Sequence, residues 1–156
     1  MTRVCLVGIE DVNLRYELVS RETAREALAT YDLSEPYENT VALETISLGS
    51  AVSLLNDLNW YLVRYADAAW VLEPSVSESE WLSRELATAI RDDAVESDES
   101  GRYLRMYGVL EDEESGTRRL VDPMFVARTG PSLPEYDLCE VDDTLLVRVT
   151  EEEFGA

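Results

Sequence analysis

The chain has 156 residues, 33 of them Asp or Glu against 13 basic ones, for a net charge of −20. All 13 basic residues are Arg, and the sequence holds no Lys, His or Gln. That composition excludes imidazole proton shuttles, Schiff-base lysines and the P-loop lysine, and the charge disfavours nucleic acid or an anionic membrane as partner.

Residues 3–9, RVCLVGI, form a short apolar run that predicts a buried strand. NLRYELV, 13–19, fits either helix or strand. Ser20 reads as an N-cap, followed at helical spacing by Ala24, Ala27, Leu28 and Tyr31, with Glu22 in the first turn where the helix dipole favours an acid. Asp32 to Asn39, holding Pro36, is a loop. VALETIS, 41–47, alternates like a half-buried strand. Leu48, Val52, Leu55 and Leu58 repeat at i, i+4, i+7, i+10 and predict one helical face, which Asn59 can close in a left-handed conformation.

WYLVRYADAAWVLE, 60–73, is evenly apolar. It reads as a hairpin turning at Ala66-Asp67-Ala68, with a helix to Tyr65 as the alternative. After Pro74, Ser77 and Glu80 make a capping box, and Leu82, Leu86, Ala89 and Ile90 continue it as a helix with Trp81 at its start. Residues 91–101 are an acidic, mobile connector. RYLRMYGVL, 102–110, and TRRLVDPMFVA, 117–127, flank a turn ending in Gly116, with Pro123 marking an edge strand or a bulge. GPSLPEYD is a loop, and LCEVDDTLLVRVT, 138–150, supplies the last strand or strands. The pattern predicts an α+β fold: a single small domain over 1–150, mostly antiparallel sheet with about three helices, and a frayed acidic tail over 151–156.

Charge sets the expected milieu. Excess negative charge repels itself at low ionic strength, and at about 1 M salt the screening length falls to roughly 3 Å, so the composition fits a high-salt cytoplasm. Disorder does not fit: Leu, Val, Ile and Phe number 42, above the roughly 20% at which a charged chain stays unfolded. The acids are spread between apolar periods instead of forming one tail. The start, MTRVCLVGIEDVN, is not a signal peptide, and no window approaches the ~18 apolar residues of a membrane span. Cys5 and Cys139 lack metal-site spacing and read as two small buried residues, with a disulfide or redox pair as the alternative.

Three groups of residues could carry function. Glu10, Asp11, Asn13 and Arg15 follow the first strand, a common ligand position, though a capped turn would use the same residues. Tyr103, Arg105 and Tyr107 share a strand face, and Arg118, Arg119 and Arg148 fall on what can be the same sheet. Flat aromatic and guanidinium groups stack single-stranded bases; a solvated face of Arg–acid pairs is the plainer account. Trp60, Tyr61, Tyr65, Trp70 and Trp81 crowd into about twenty residues, as core or, where exposed, as an interface anchor. Chance pairs such as Asp92-Asp93 and Asp142-Asp143 carry little in so acidic a chain.

NWYLVRY is similar over seven residues to the WYL domain, a ligand-sensing module of bacterial regulators, but the continuation AWVLEPSVSESEW departs from that family's pattern. MTRVCLVGIEDVNLRYELVSRETAREAL and ETISLGSAVSLLNDLNWYLVRYAD resemble an uncharacterised haloarchaeal protein family. That resemblance implies a halophilic archaeal cytoplasm and no particular activity. The leading expectation is a protein-interaction or regulatory module, meeting an unknown protein partner through the 60–81 aromatics. The alternative is RNA or phosphorylated-ligand binding through the Tyr/Arg face; a small carboxylate- or Mg²⁺-dependent enzyme ranks third. No cofactor and no metal site are expected.

Overall fold

The computed structural model describes residues 1–128 and 143–155. The opening apolar run forms β1 (Thr2–Gly8), and the next chain segment makes two short helices, α1 (Leu14–Val19) and α2 (Glu22–Leu28). β2 (Thr40–Thr45) returns antiparallel to β1. Two more helices follow, α3 (Leu48–Asp57) and α4 (Asn59–Tyr65), and then β3 (Ala66–Leu72), antiparallel to the other edge of β1. β4 (Trp81–Ser83) pairs with β3 and leads into α5 (Arg84–Arg91). The hairpin of β5 (Tyr103–Glu111) and β6 (Arg118–Ala127) turns through Gly116, whose φ of 73° suits a residue without Cβ. β7 (Asp143–Arg148) inserts between β4 and β5, and α6 (Glu151–Gly155) closes the described chain.

The result is one sheet in the order β2-β1-β3-β4-β7-β5-β6, antiparallel at every described pair except β4–β7. The α+β expectation holds. The sheet curls into a half-barrel. β3 and β5 are not neighbours in the order, yet the Trp70 and Tyr107 rings lie 5.1 Å apart across the concavity. At the outer edges, the Glu38 amide donates to the Arg118 carbonyl at 2.7 Å, joining the loop before β2 to β6.

Strand alternation then divides the interior in two. Val4, Leu6, Val71 and Leu82 face the helices and pack with Leu14, Leu18, Val52, Leu55, Leu58 and Leu86. Cys5, Trp70 and Trp81 point into the concavity and meet Tyr107, Val109, Leu145 and Val147 from the other half of the sheet. Each such fully buried side chain contributes about 1.5–3 kcal/mol of transfer free energy. Cys5 is a free thiol, pushed up to about 12 by burial; Cys139 lies outside the described residues.

Several local expectations are corrected. Among the described residues there are six α-helices, not about three, and of these only α3 and α5 exceed seven residues; helices of five to seven residues offer little more than one period to read. Ser20 ends α1 instead of capping α2, whose N-cap residue Arg21 makes no side-chain capping hydrogen bond and donates to Glu17 instead. Asn59 starts α4 and is not left-handed. Residues 60–73 are helix then strand, not a hairpin. Ser77 does cap the Glu80 amide at 3.0 Å, but Trp81–Ser83 is a strand and the helix begins at Arg84, capped by Ser83. Pairing with β3 and β7 overrides the local signal there. The acidic tail, expected to fray, forms α6 through Gly155, with Phe154 against the Tyr103 ring at 4.8 Å.

Candidate functional site

The five aromatics of the 60–81 region do not share one surface. Trp70 and Trp81 are buried in the concave core with ring centroids 6.1 Å apart. Trp60 stays half-exposed on α4, edge-on to Tyr61 at 5.0 Å and with the Arg64 guanidinium 3.8 Å over it. Tyr65 packs under Arg21 at 5.1 Å.

The Tyr/Arg face is divided too. Tyr103, Arg105 and Tyr107 keep their alternation on one face of β5, which pairs with β7 in unbroken register; the extra residue at the β5–β6 register shift lies on β6, between Val121 and Met124. Tyr107 turns into the core. Arg118 pairs with Asp143 at 3.4 Å and stacks on Tyr37. Arg119 is exposed on the edge strand. It lines a cleft of about 750 Å³ with Tyr107 and with Glu10, Asp11, Asn13 and Arg15. In that turn Asn13 caps α1, and the Asn39 amide bridges the Ile9 carbonyl and the Leu14 amide. Arg15 reaches Glu35 at 3.7 Å. Asn13 thus serves the turn as a helix cap, and Arg15 an ion pair.

Tyr103 and Arg148 come together elsewhere, with two arginines the sequence did not single out. A cleft of about 900 Å³ is lined by Arg102, Tyr103, Arg128 and Arg148, by Ser75, Val76, Ser97 and Gly101, and at its rim by Asp98, Glu99 and Glu151. Local structure builds it. The 91–101 connector, expected to be mobile, folds a single turn at Ser97–Glu99 and buries Ser100. The Ser100 hydroxyl donates to the Ser97 carbonyl at 2.6 Å and accepts from Arg148 at 3.0 Å. Gly101 permits the close approach: a Cβ there would sit 2.9 Å from an Arg128 nitrogen.

Behind the cleft, Glu80 binds both neighbouring guanidiniums. Its Oε2 accepts from Arg128 and its Oε1 from Arg148, each at 2.8 Å, and the three side chains are 14%, 19% and 13% exposed. Burial alone would raise the Glu80 carboxyl, but hydrogen bonds from Arg148 and Arg128 outweigh it and hold the group below the ordinary glutamate value. Arg128 Nε is buried and has no hydrogen-bond partner among the described residues. Arg102 is exposed and lies 5.4 Å over the Tyr103 ring. With Glu80 included, the cleft sets three arginines against four acids, where the whole chain has 13 against 33. What the arrangement supplies is fixed guanidinium charge, hydrogen-bond donors and one aromatic face.

A family model matches residues 2–109. The chain belongs to DUF5804, a family of unknown function. No curated protein and no solved structure matches it. The DUF5804 match runs from β1 into β5; it includes Glu80, Arg102 and Tyr103 but not Arg128 or Arg148. Among the described residues, no three His, Cys, Asp or Glu side chains converge to hold a metal ion. Among the same residues, no helix is long and apolar enough to cross a membrane.

Proposed function

We propose that this protein is a binding module for a small phosphorylated molecule, held in the arginine cleft. The observation that carries the reading is the gathering of Arg102, Arg128 and Arg148 around one concavity on a chain of net charge −20. Guanidinium forks match phosphate oxygens in two-point contacts that a lone ammonium does not make. The Tyr103 ring gives a flat surface for a base or sugar ring beside the charge. Arg128 and Arg148 already bind one carboxylate, Glu80, and so are oriented before a ligand arrives. In this reading the remaining acidity is a surface adapted to a high-salt cytoplasm, where screening leaves short, directional contacts as the source of affinity.

Isothermal titration with inorganic phosphate and with adenosine monophosphate tests this, using wild type and Arg102→Gln. Arg102 is exposed and holds no ion pair among the described residues, so its loss leaves folding intact. A hydrogen bond to a charged group is worth about 1.5–3 kcal/mol, so the variant should bind at least about tenfold more weakly. Absence of saturable binding by either compound in wild type would overturn the proposal.

A second reading, contact with a protein partner, is favoured by the adjacent exposed apolar side chains of Trp60 and Val63 on α4, 50% and 70% accessible. Trp60→Ala abolishing co-purification of a stoichiometric partner would support it.

A further inference from the structure

A different cleft, about 230 Å³, lies between the α4–β3 and β5–β7 sides of the half-barrel, against α6. Its wall is mostly apolar, with Leu62, Val63, Trp70, Phe125, Val147 and Val149. Two sets of charged groups in it form no ion pair among the described residues.

The first is Arg105. Its guanidinium lies 5.0 Å from the Tyr107 ring and 5.5 Å from the Phe125 ring. Its Nε is buried without a hydrogen-bond partner. Among the described residues no acid lies within ion-pair distance of it. A half-buried guanidinium whose Nε is unpartnered among the described residues gains by meeting an anion.

The second is a pair of carboxyls. Glu153 of α6 accepts from the Ser83 hydroxyl at 2.6 Å and from the Thr150 amide at 2.9 Å. Glu85 sits against it: burial, then the Glu153 charge and a hydrogen bond to it, raise the Glu85 carboxyl. Two like-signed groups so placed gain by meeting a cation. Arg84 also lines the cleft and lowers Glu85 by its charge, but its own donors go to the side-chain oxygens of Asn59 and Asn56 at 2.8 and 3.2 Å. Asp67 stands at the exposed side.

A cation and two acids that form no ion pair among the described residues, lining one cavity with an apolar wall, call for a ligand carrying both charges. At about 30 Å³ per water, the cavity of about 230 Å³ has room on the scale of an amino acid. We propose that this cleft binds a free α-amino acid with an apolar side chain, its carboxylate on Arg105, its ammonium between Glu85 and Glu153, and its side chain against Trp70 and Phe125. This site is separate from the arginine cleft, and neither reading depends on the other.

The experiment is isothermal titration of the wild-type protein with L-phenylalanine, L-leucine, 3-phenylpropanoate and 2-phenylethylamine. The last two compounds keep the phenyl group and remove one charge each. The proposal predicts saturable binding of at least one amino acid, with both single-charge analogues at least about tenfold weaker than L-phenylalanine or not bound. Arg105→Gln, checked for folding by circular dichroism, should lose amino-acid binding while phosphate binding is unchanged. No saturable binding of either amino acid would overturn the proposal. So would equal affinity for a single-charge analogue, a result that needs no variant.

Discussion

Replacing Glu80 by Gln tests whether the arginine pair behind the cleft is an organised anion site. The amide keeps the shape of the side chain but removes the charge and one of two acceptor oxygens. Arg128 or Arg148 then faces an NH₂ group, donor against donor. Removing one partner of a buried ion pair costs about 3–5 kcal/mol. These side chains keep 13–19% exposure, and screening by solvent brings the expected loss to about 2–4 kcal/mol. For a chain of 156 residues that is a fall of roughly 5–15 °C in Tm.

Urea unfolding followed by circular dichroism should show a lower midpoint with an unchanged slope. Inorganic phosphate should restore part of the loss by binding Arg128 and Arg148 from the cleft, where the Glu80 charge no longer offsets theirs. The pH response follows from the lowered Glu80 value. Its contribution is present above the ordinary glutamate range and is lost as pH falls through the depressed pKa. The variant should lack that acid limb. Unchanged stability would show that the triad contributes nothing, and a loss that phosphate does not repair would show that the guanidiniums cannot serve an external anion.

Three further outcomes follow. Raising KCl from about 0.1 M to about 2 M should raise Tm steadily, because the screening length falls to a few ångströms; a flat profile would remove the high-salt reading of the charge. Tyr107 is buried, its hydroxyl has no partner among the described residues, and burial pushes the phenol up to about 12. Tyr107→Phe should therefore leave stability unchanged or higher, since no hydrogen bond is lost; a loss above about 1 kcal/mol would mean that the hydroxyl is satisfied in solution. Glu85 has a raised pKa, so its favourable term is present at acid pH and is lost as pH rises through that value. Glu85→Gln should accordingly be more stable than wild type at neutral pH, with the gap closing on acidification in urea melts.

What the sequence made legible was local. β1, β2 and the β5–β6 hairpin with its turn Gly116 follow from apolar runs and turn residues, and α3 from the period of Leu48, Val52, Leu55 and Leu58. The 60–73 stretch misled because α4 fully buries only Leu62, while β3 buries Trp70 and Val71 on opposite faces. Even apolarity hides such a junction. Glu80 stood out only as the acid of a capping box, and its amide does donate to the Ser77 hydroxyl. Its carboxylate answers to Arg128 and Arg148, 48 and 68 residues away, and no spacing rule announces partners at that distance. Of the cleft residues, Tyr103 and Arg148 stood out in the sequence as sheet-face candidates, and Arg102 and Arg128 did not.

The most direct test of the phosphate-binding claim is a titration of isotope-labelled protein with inorganic phosphate, observing the arginine Nε–Hε resonances by NMR. The account predicts saturable shifts confined to Arg102, Arg128 and Arg148, with Arg118 and Arg91 unmoved. Shifts that fail to saturate, or that spread evenly over all 13 arginines, would contradict it.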